Sequence, residues 1–490
     1  MTDRRLLLLL GLVVAAVWGY GLFHIHGLRR GADEAQTELS RARQRAELLD
    51  RELTASRSEV KRLGQVRDDL EQDVRRFEER AERQAMIDGM PATLEKLRGL
   101  KPLAPLKVSW VSRAQTRTFM ETEIKKQLPA AFADAYVRTL SRVGLLPAGY
   151  ALERSLVGLF SEQAAGYYDP RQKALFVNDG MPLADVVLAH EIAHALADQH
   201  FDLKKLMPEG LHDHDDRAFG VQALVEGEAT WTMGQYVRSQ LSLFKLFELA
   251  SEVMKLARVD EKQLSAAPRW IRDPLLKAYL SGMELVVALH KAGGLARIDA
   301  AFRAPPESSE QVLHPEKYLA GEKPIVVSLP DLSAALPNHK PLHENTLGEL
   351  GLRILFRDNA STAAESDAAA AGWGGDRLRS YTREGASGEG RLLLVWRIVM
   401  DTAVDAGELQ RAFGKLLAHR HGPLAAGSAT YAATYGRVAL VAKEKELLLV
   451  DGAANDAELG ALLSACGHTL PTAPSPGTAA PAGTPSGARR

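Results

Sequence analysis

Residues 6–23, LLLLLGLVVAAVWGYGLF, run for 18 positions without a charge, and no other stretch restricts the chain so strongly. Inside a bilayer every backbone N–H and C=O must be satisfied within the segment, so a single run of this kind can only be a helix. At 1.5 Å per residue it is about 27 Å long, enough for a hydrocarbon core. Trp18 and Tyr20 lie near its end, where amphipathic rings favour the interface. A cleaved signal would be followed by a small-x-small site, and WGYGLFHIHG offers none, so a retained anchor is expected. Arg4 and Arg5 precede the span, whereas Arg29, Arg30, Arg41 and Arg43 follow it. Counted literally, these charges keep the C-terminal side in the cytoplasm. A very short N-terminal tail with paired arginines looks instead like a signal anchor, and long downstream domains translocate largely regardless of charge. The expectation is a single-pass protein of a bacterial inner membrane with an extracytoplasmic body.

Past the anchor, residues 34–85 are dense in Arg, Glu, Gln and Asp. Stepping three then four from Leu39 gives Leu39, Ala42, Ala46, Leu49, Leu53, Ser56, Val60, Leu63, Arg67, Leu70, Val74, Phe77 and Ala81. Only Ser56 and Arg67 interrupt an apolar seam, which predicts a coiled coil and a possible homo-oligomer. Lys+Arg number 61 against Asp+Glu 62, so no basic excess drives nucleic-acid binding, and none is expected. The one cysteine, Cys466, excludes an internal disulfide framework and a cysteine-rich zinc site. Residues 471–490 contain no hydrophobic side chain larger than alanine and are expected to be a disordered tail.

Pro91 and GLKPLAP (Gly99 to Pro105) are expected to end the long helix. KVSWVS (Lys107 to Ser112) reads as a short strand. Arg117 to Arg142, broken at Pro129, and Tyr150 to Gln163 read as helices. GYYD (Gly166 to Asp169) and ALFVND (Ala174 to Asp179) read as a hairpin about Pro170 to Lys173. Helices are expected from Pro182 to Gln199, Gln222 to Leu256 and Pro274 to Phe302. After an Ala/Gly-rich linker, Asp358 to Gly375, a strand-helix-strand-strand-helix series from Arg391 predicts a separate small α/β domain over 376–468.

The Pro182 helix carries HEIAH, His190 to His194. Four residues are just over one turn, so both imidazoles share a face and can hold one zinc ion. Glu191 is one step away, placed to take a proton from a zinc-activated water as it attacks a carbonyl. Val186, Val187, Ala189, Ile192, Ala193 and Leu196 make the helix apolar, so the three polar groups are at least partly buried and need a partner. A catalytic zinc takes a third protein ligand. His200 stands six residues after His194, but Ala197 gives no turn, and a continuing helix rotates His200 about 240° away. Glu226 in ALVEGEAT, on a following helix, is preferred. Glu228 lies about 200° round the same helix, so both glutamates cannot face the metal. Glu228, His212 and His214 remain as further alternatives.

HEIAH followed by a glutamate in an E-G-x-A setting resembles the gluzincin metallopeptidases. The resemblance implies His190, His194 and Glu226 as zinc ligands and Glu191 as general base. SEQAAGYYDP, HEIAHALADQHFDL, ALVEGEAT and SSEQVLHPEKYL are similar to segments of uncharacterised bacterial metallopeptidase-like proteins, over residues 161–319. It implies an α+β fold: a mostly helical, zincin-like body over 94–357 with a short edge-strand hairpin, after the anchor and coiled coil and before the small α/β domain. It further implies that the ALFVND run is an edge strand that binds an extended substrate by β-augmentation. Oxyanion stabilisation needs a donor aimed at the carbonyl, for which Tyr168, Tyr279, His314 and Tyr318 are candidates. The expected function is a membrane-anchored, zinc-dependent hydrolase of peptide bonds, an endopeptidase acting on protein or peptide substrates. The alternative is a non-catalytic, zinc-containing scaffold that binds peptide.

Overall fold

Charge-free from Leu6 to Phe23 and highly charged afterwards, the N-terminal sequence forms one helix, α1 (Asp3–Arg98). The computed structural model describes residues 3–163, 165–179, 185–206, 213–240, 261–359, 361–425 and 428–470. The tail over 471–490, His212 and the expected helical residues 241–256 lie outside this set. The chain forms two compact units, Met1–Glu82 and Arg83–Arg490. In the first, the N-terminal run is long and apolar enough to cross a membrane, as a span or a signal sequence would be. Its side chains from Leu6 to Phe23 are largely exposed, as are Leu39, Leu49, Leu53, Val60, Leu63, Leu70, Val74 and Phe77 of the heptad seam.

The second unit contains the last turns of α1. Pro91 does not end the helix but sits inside it. Ile87, Met90 and Leu94, spaced three and four apart, are buried in the core, and that stripe outweighs the backbone bond that proline forfeits. The helix stops at Gly99, whose φ of 78° is left-handed and whose N–H closes onto the Glu95 carbonyl. There follow β1 (Lys107–Val111), α2 (Arg113–Gln127), α3 (Ala130–Val143), α4 (Leu152–Gln163), β2 (Gly166–Asp169) and β3 (Ala174–Asn178). Next come α5 (Asp185–Phe201), α6 (Leu203–Leu206), α7 (Asp215–Ser239), α8 (Glu261–Ala266), α9 (Arg269–Arg303), α10 (Ser309–Leu313) and α11 (Pro315–Ala320). The C-terminal part comprises β4 (His339–Asn345), α12 (Gly348–Asp358), α13 (Ala363–Ala370), β5 (Trp373–Arg383) and β6 (Leu392–Met400). It continues through α14 (Ala403–His421), β7 (Tyr431–Ala433), β8 (Gly436–Lys443), β9 (Glu446–Ala453) and α15 (Asp456–Ala465). The fold is α+β, a long apolar N-terminal helix and a mostly helical body with a C-terminal sheet.

The small sheet has the order β1-β3-β2, with β1 parallel and β2 antiparallel to β3. The ALFVND strand is therefore central and not the edge strand expected, because KVSWV pairs along its second side. Among the described residues β2 is paired on one side only. The six-stranded sheet, β4-β5-β6-β9-β8-β7, is antiparallel throughout. It begins at His339, inside the span assigned to the catalytic body, and Asp358–Gly375 is not a loop-rich linker. Thr362 and Glu365 form a capping box that starts α13 within it.

Two helix contacts position the site. Helix α5 packs on α7, and α7 on α9. At the second crossing a Cβ on Gly227 would stand 2.1 Å from the Gly282 carbonyl carbon, so only glycine permits this approach. Beside it, buried Arg98 at the end of α1 bonds buried Glu228 at 2.5 Å and lies 2.8 Å from the half-buried Asp299.

Candidate metal centre

Helix α5 is apolar on nearly every face: Leu188, Ala189, Ile192, Ala193, Leu196 and Ala197 are buried. His190 and His194 are buried with them at the four-residue spacing that stacks them one turn apart. Their rings meet edge-on, with centroids 4.6 Å apart and Nε2 atoms 3.0 Å apart. From α7, Glu226 Oε2 lies 3.2 Å from His190 Nε2 and 3.5 Å from His194 Nε2. Three ligand atoms thus converge from two helices. Donors about 2.0–2.1 Å from a common tetrahedral centre stand roughly 3.3–3.4 Å apart, so these separations and this N/N/O donor set fit a zinc ion.

Electrostatics hold the cluster together. Burial alone would raise the Glu226 carboxyl, but the His194 and His190 imidazoles outweigh it and keep Glu226 well below the usual carboxylate range. Burial would also lower His194, yet the Glu226 charge beside it lifts the imidazole to about 9. The proton on that ring is what a bound cation would replace. Glu191 is not one of the three converging groups. Its Oε2 accepts the Tyr168 backbone N–H at 2.8 Å, and burial raises its carboxyl above the ordinary value against the opposing histidines.

The expected oxyanion donors separate into two groups. Tyr279 on α9 stacks on His190 with centroids 5.7 Å apart. Partial burial and the Glu226 and Glu191 carboxylates raise its phenol well above the usual value, so it remains a neutral O–H donor. Tyr168 reaches the site through its main chain, while its hydroxyl donates to Asp198 at 2.8 Å. His314 bonds Glu349 at 3.0 Å, and the Tyr318 hydroxyl donates to the Ala304 carbonyl at 2.6 Å. Neither joins the triad.

The alternative ligands are also engaged elsewhere. His200 Nε2 contacts the Lys101 carbonyl at 2.8 Å, because α5 stays helical through Ala197 and carries His200 off the metal face. Glu228 is turned into the core toward Arg98 and Thr232. His214 caps α7, accepting the Arg217 N–H. Sequence reading missed Asp198, one turn beyond His194. It ties the end of α5 to Tyr168 and accepts the Leu203 N–H at 2.8 Å. An acid at that spacing on an apolar helix is the signal that identifies it. Glu310, Glu322 and Asp401 also cluster, but the Lys317 ammonium fills their centre at 2.7, 2.9 and 2.7 Å.

Residues 338–462 match a domain of unknown function (DUF8575). The match covers the six-stranded sheet and its helices and excludes the His190–His194–Glu226 cluster. No curated protein and no solved structure matches the chain.

Proposed function

We propose that this protein is a membrane-anchored zinc metallopeptidase of gluzincin type, with a zincin-like body that hydrolyses peptide bonds. The convergence of His190 Nε2, His194 Nε2 and Glu226 Oε2, with Glu191 beside them, carries the reading. Zinc held by those three groups would polarise a substrate carbonyl and lower the pKa of water. Glu191, half-buried and with its carboxyl raised above the ordinary value, takes a proton as base and returns it to the leaving amine. Tyr279 presents a neutral hydroxyl beside the cluster for the developing oxyanion. The side of β2 that is unpaired among the described residues, where the Tyr168 N–H meets Glu191, gives an extended peptide a strand to pair with.

In this reading the Leu6–Phe23 segment spans a bacterial inner membrane, the body is extracytoplasmic, and the heptad seam joins a second copy of the chain. Detergent-solubilised full-length protein should contain about one zinc, lost in His190→Ala and in Glu226→Ala. Full zinc retention by Glu226→Ala would remove it from the ligand set. Zinc binding without turnover of an unbiased peptide library would favour the peptide-binding scaffold. A reporter fused after Arg490 that signals only in the cytoplasm would contradict the extracytoplasmic body.

A further inference from the structure

A cavity of about 250 Å³ lies between α3, α4, α7, α9 and α12, away from the three converging ligand atoms. Its walls are chiefly apolar, among them Phe132, Leu156, Ile271 and Leu275. An engineered cavity of about 150 Å³ holds benzene, so this one has room for an aromatic ring and a short chain. The polar end differs in kind. Asp215 and Asp216, the first residues of α7, both line it, together with the rings of Tyr136 and Trp270.

Asp215 is hydrogen-bonded: it accepts the Tyr136 hydroxyl at 2.9 Å and Asn345 Nδ2 at 2.7 Å, and Tyr136 in turn accepts Trp270 Nε1 at 2.8 Å. Asp216 is not fully served. It is 2% exposed, one oxygen accepts the Ser309 N–H at 2.8 Å, and Oδ2 has no hydrogen-bond partner among the described residues. The other charges acting most strongly on it are carboxylates, Asp376 and Glu310. Burial drives its carboxyl up to about 8, as expected of an acid lacking a cation. A buried acid with a free oxygen, in the wall of an apolar cavity and beside two aromatic faces, is the environment that organic ammonium groups favour.

We propose that this cavity binds a ligand with an apolar body and a cationic nitrogen, the nitrogen lying at the Asp215–Asp216 end. The shared chemistry fits a free arylalkylamine and a lysine or arginine side chain of a peptide. It does not depend on the metal reading, and the test can be run on His190→Ala protein with the same expectation.

The test is calorimetric titration of the full-length protein in detergent with 3-phenylpropylamine, its neutral counterpart butylbenzene, and capped lysine and arginine amides. The amine should bind at least tenfold more tightly than butylbenzene. Asp216→Asn, which keeps an acceptor for Ser309, should lose at least tenfold in amine affinity while staying folded by circular dichroism. Leu156→Trp, which adds bulk to the cavity wall from α4 and leaves both acids in the sequence, should abolish binding. Tighter binding of the capped amino acids identifies a peptide side chain as the source, and tighter binding of the free amine identifies a small molecule. Absence of binding by every cation, equal binding of amine and butylbenzene, or unchanged affinity in Asp216→Asn overturns the proposal.

Discussion

Gly227→Ala should damage the proposed metal centre without changing any of its candidate ligands. Gly227 follows Glu226 at the crossing of α7 and α9, where an added Cβ would lie 2.1 Å from the Gly282 carbonyl carbon and 2.3 Å from its oxygen. Carbon atoms rest about 3.5–4.0 Å apart, so the helices must separate by roughly 1.4 Å or more. The obstacle is backbone, and no rotamer relieves it. Overpacking of this kind costs about 1–3 kcal/mol. The better helix propensity of alanine returns at most about 1 kcal/mol. With backbone as the obstacle the upper end of that range applies, and a net loss of about 2 kcal/mol is expected. Since α7 carries Glu226 and α5 carries both histidines, the displacement should also weaken zinc binding by about tenfold or more, or roughly 1.4 kcal/mol. Gly234→Ala on the same helix is the control, because its Cβ would meet nothing within 4 Å. Urea unfolding and zinc competition titration of the full-length protein measure both effects. The reasoning is refuted if Gly227→Ala unfolds and binds zinc like wild type, or if Gly234→Ala is equally harmful.

Three further substitutions separate the roles of individual side chains. Arg98→Met leaves Glu228 and Asp299 uncompensated at the end of α1 and should cost about 3–5 kcal/mol in urea unfolding. A change below about 1 kcal/mol would mean that water or another group already serves the acids. Tyr279→Phe removes the one expected oxyanion hydroxyl beside the cluster. It should lower kcat by about 100-fold with zinc content kept. Tyr168→Phe loses only the hydroxyl bond to Asp198 and should cost about 1 kcal/mol of stability with kcat within a few-fold. Steady-state kinetics showing the reverse ranking would reassign the two tyrosines.

The residues that sequence reading located best are those governed by a helical period. His190 and His194 sit one turn apart, and Glu226 and Glu228 diverge on α7, because 3.6 residues per turn leave no choice once the helix exists. The hairpin of β2 and β3 was legible from its turn, but pairing between strands distant in sequence was not. The Lys107–Val111 segment takes the second side of β3 and leaves β2 as the edge. β4 and β5 were hidden for another reason. HKPLHEN contains a proline and a register shift, and WGGDRLRSYTR has two glycines after its first residue and carries an acid and three arginines. Inside the fold those charges have partners: Glu344 pairs with Arg377 and Arg379, and Asp376 accepts both Trp373 and Trp396 indoles. Pro91 misled for a related reason, since tertiary burial of Ile87, Met90 and Leu94 overrides a local breaker.

The most direct test of the peptidase reading compares wild type with Glu191→Gln on full-length protein, measuring zinc content and peptide hydrolysis together. Glu191 accepts the Tyr168 N–H and stands outside the three converging ligand atoms. The glutamine variant should therefore keep about one zinc per chain and lose hydrolysis by at least ~100-fold. Undiminished hydrolysis in Glu191→Gln, or loss of zinc along with activity, would contradict the assignment of Glu191 as base rather than ligand.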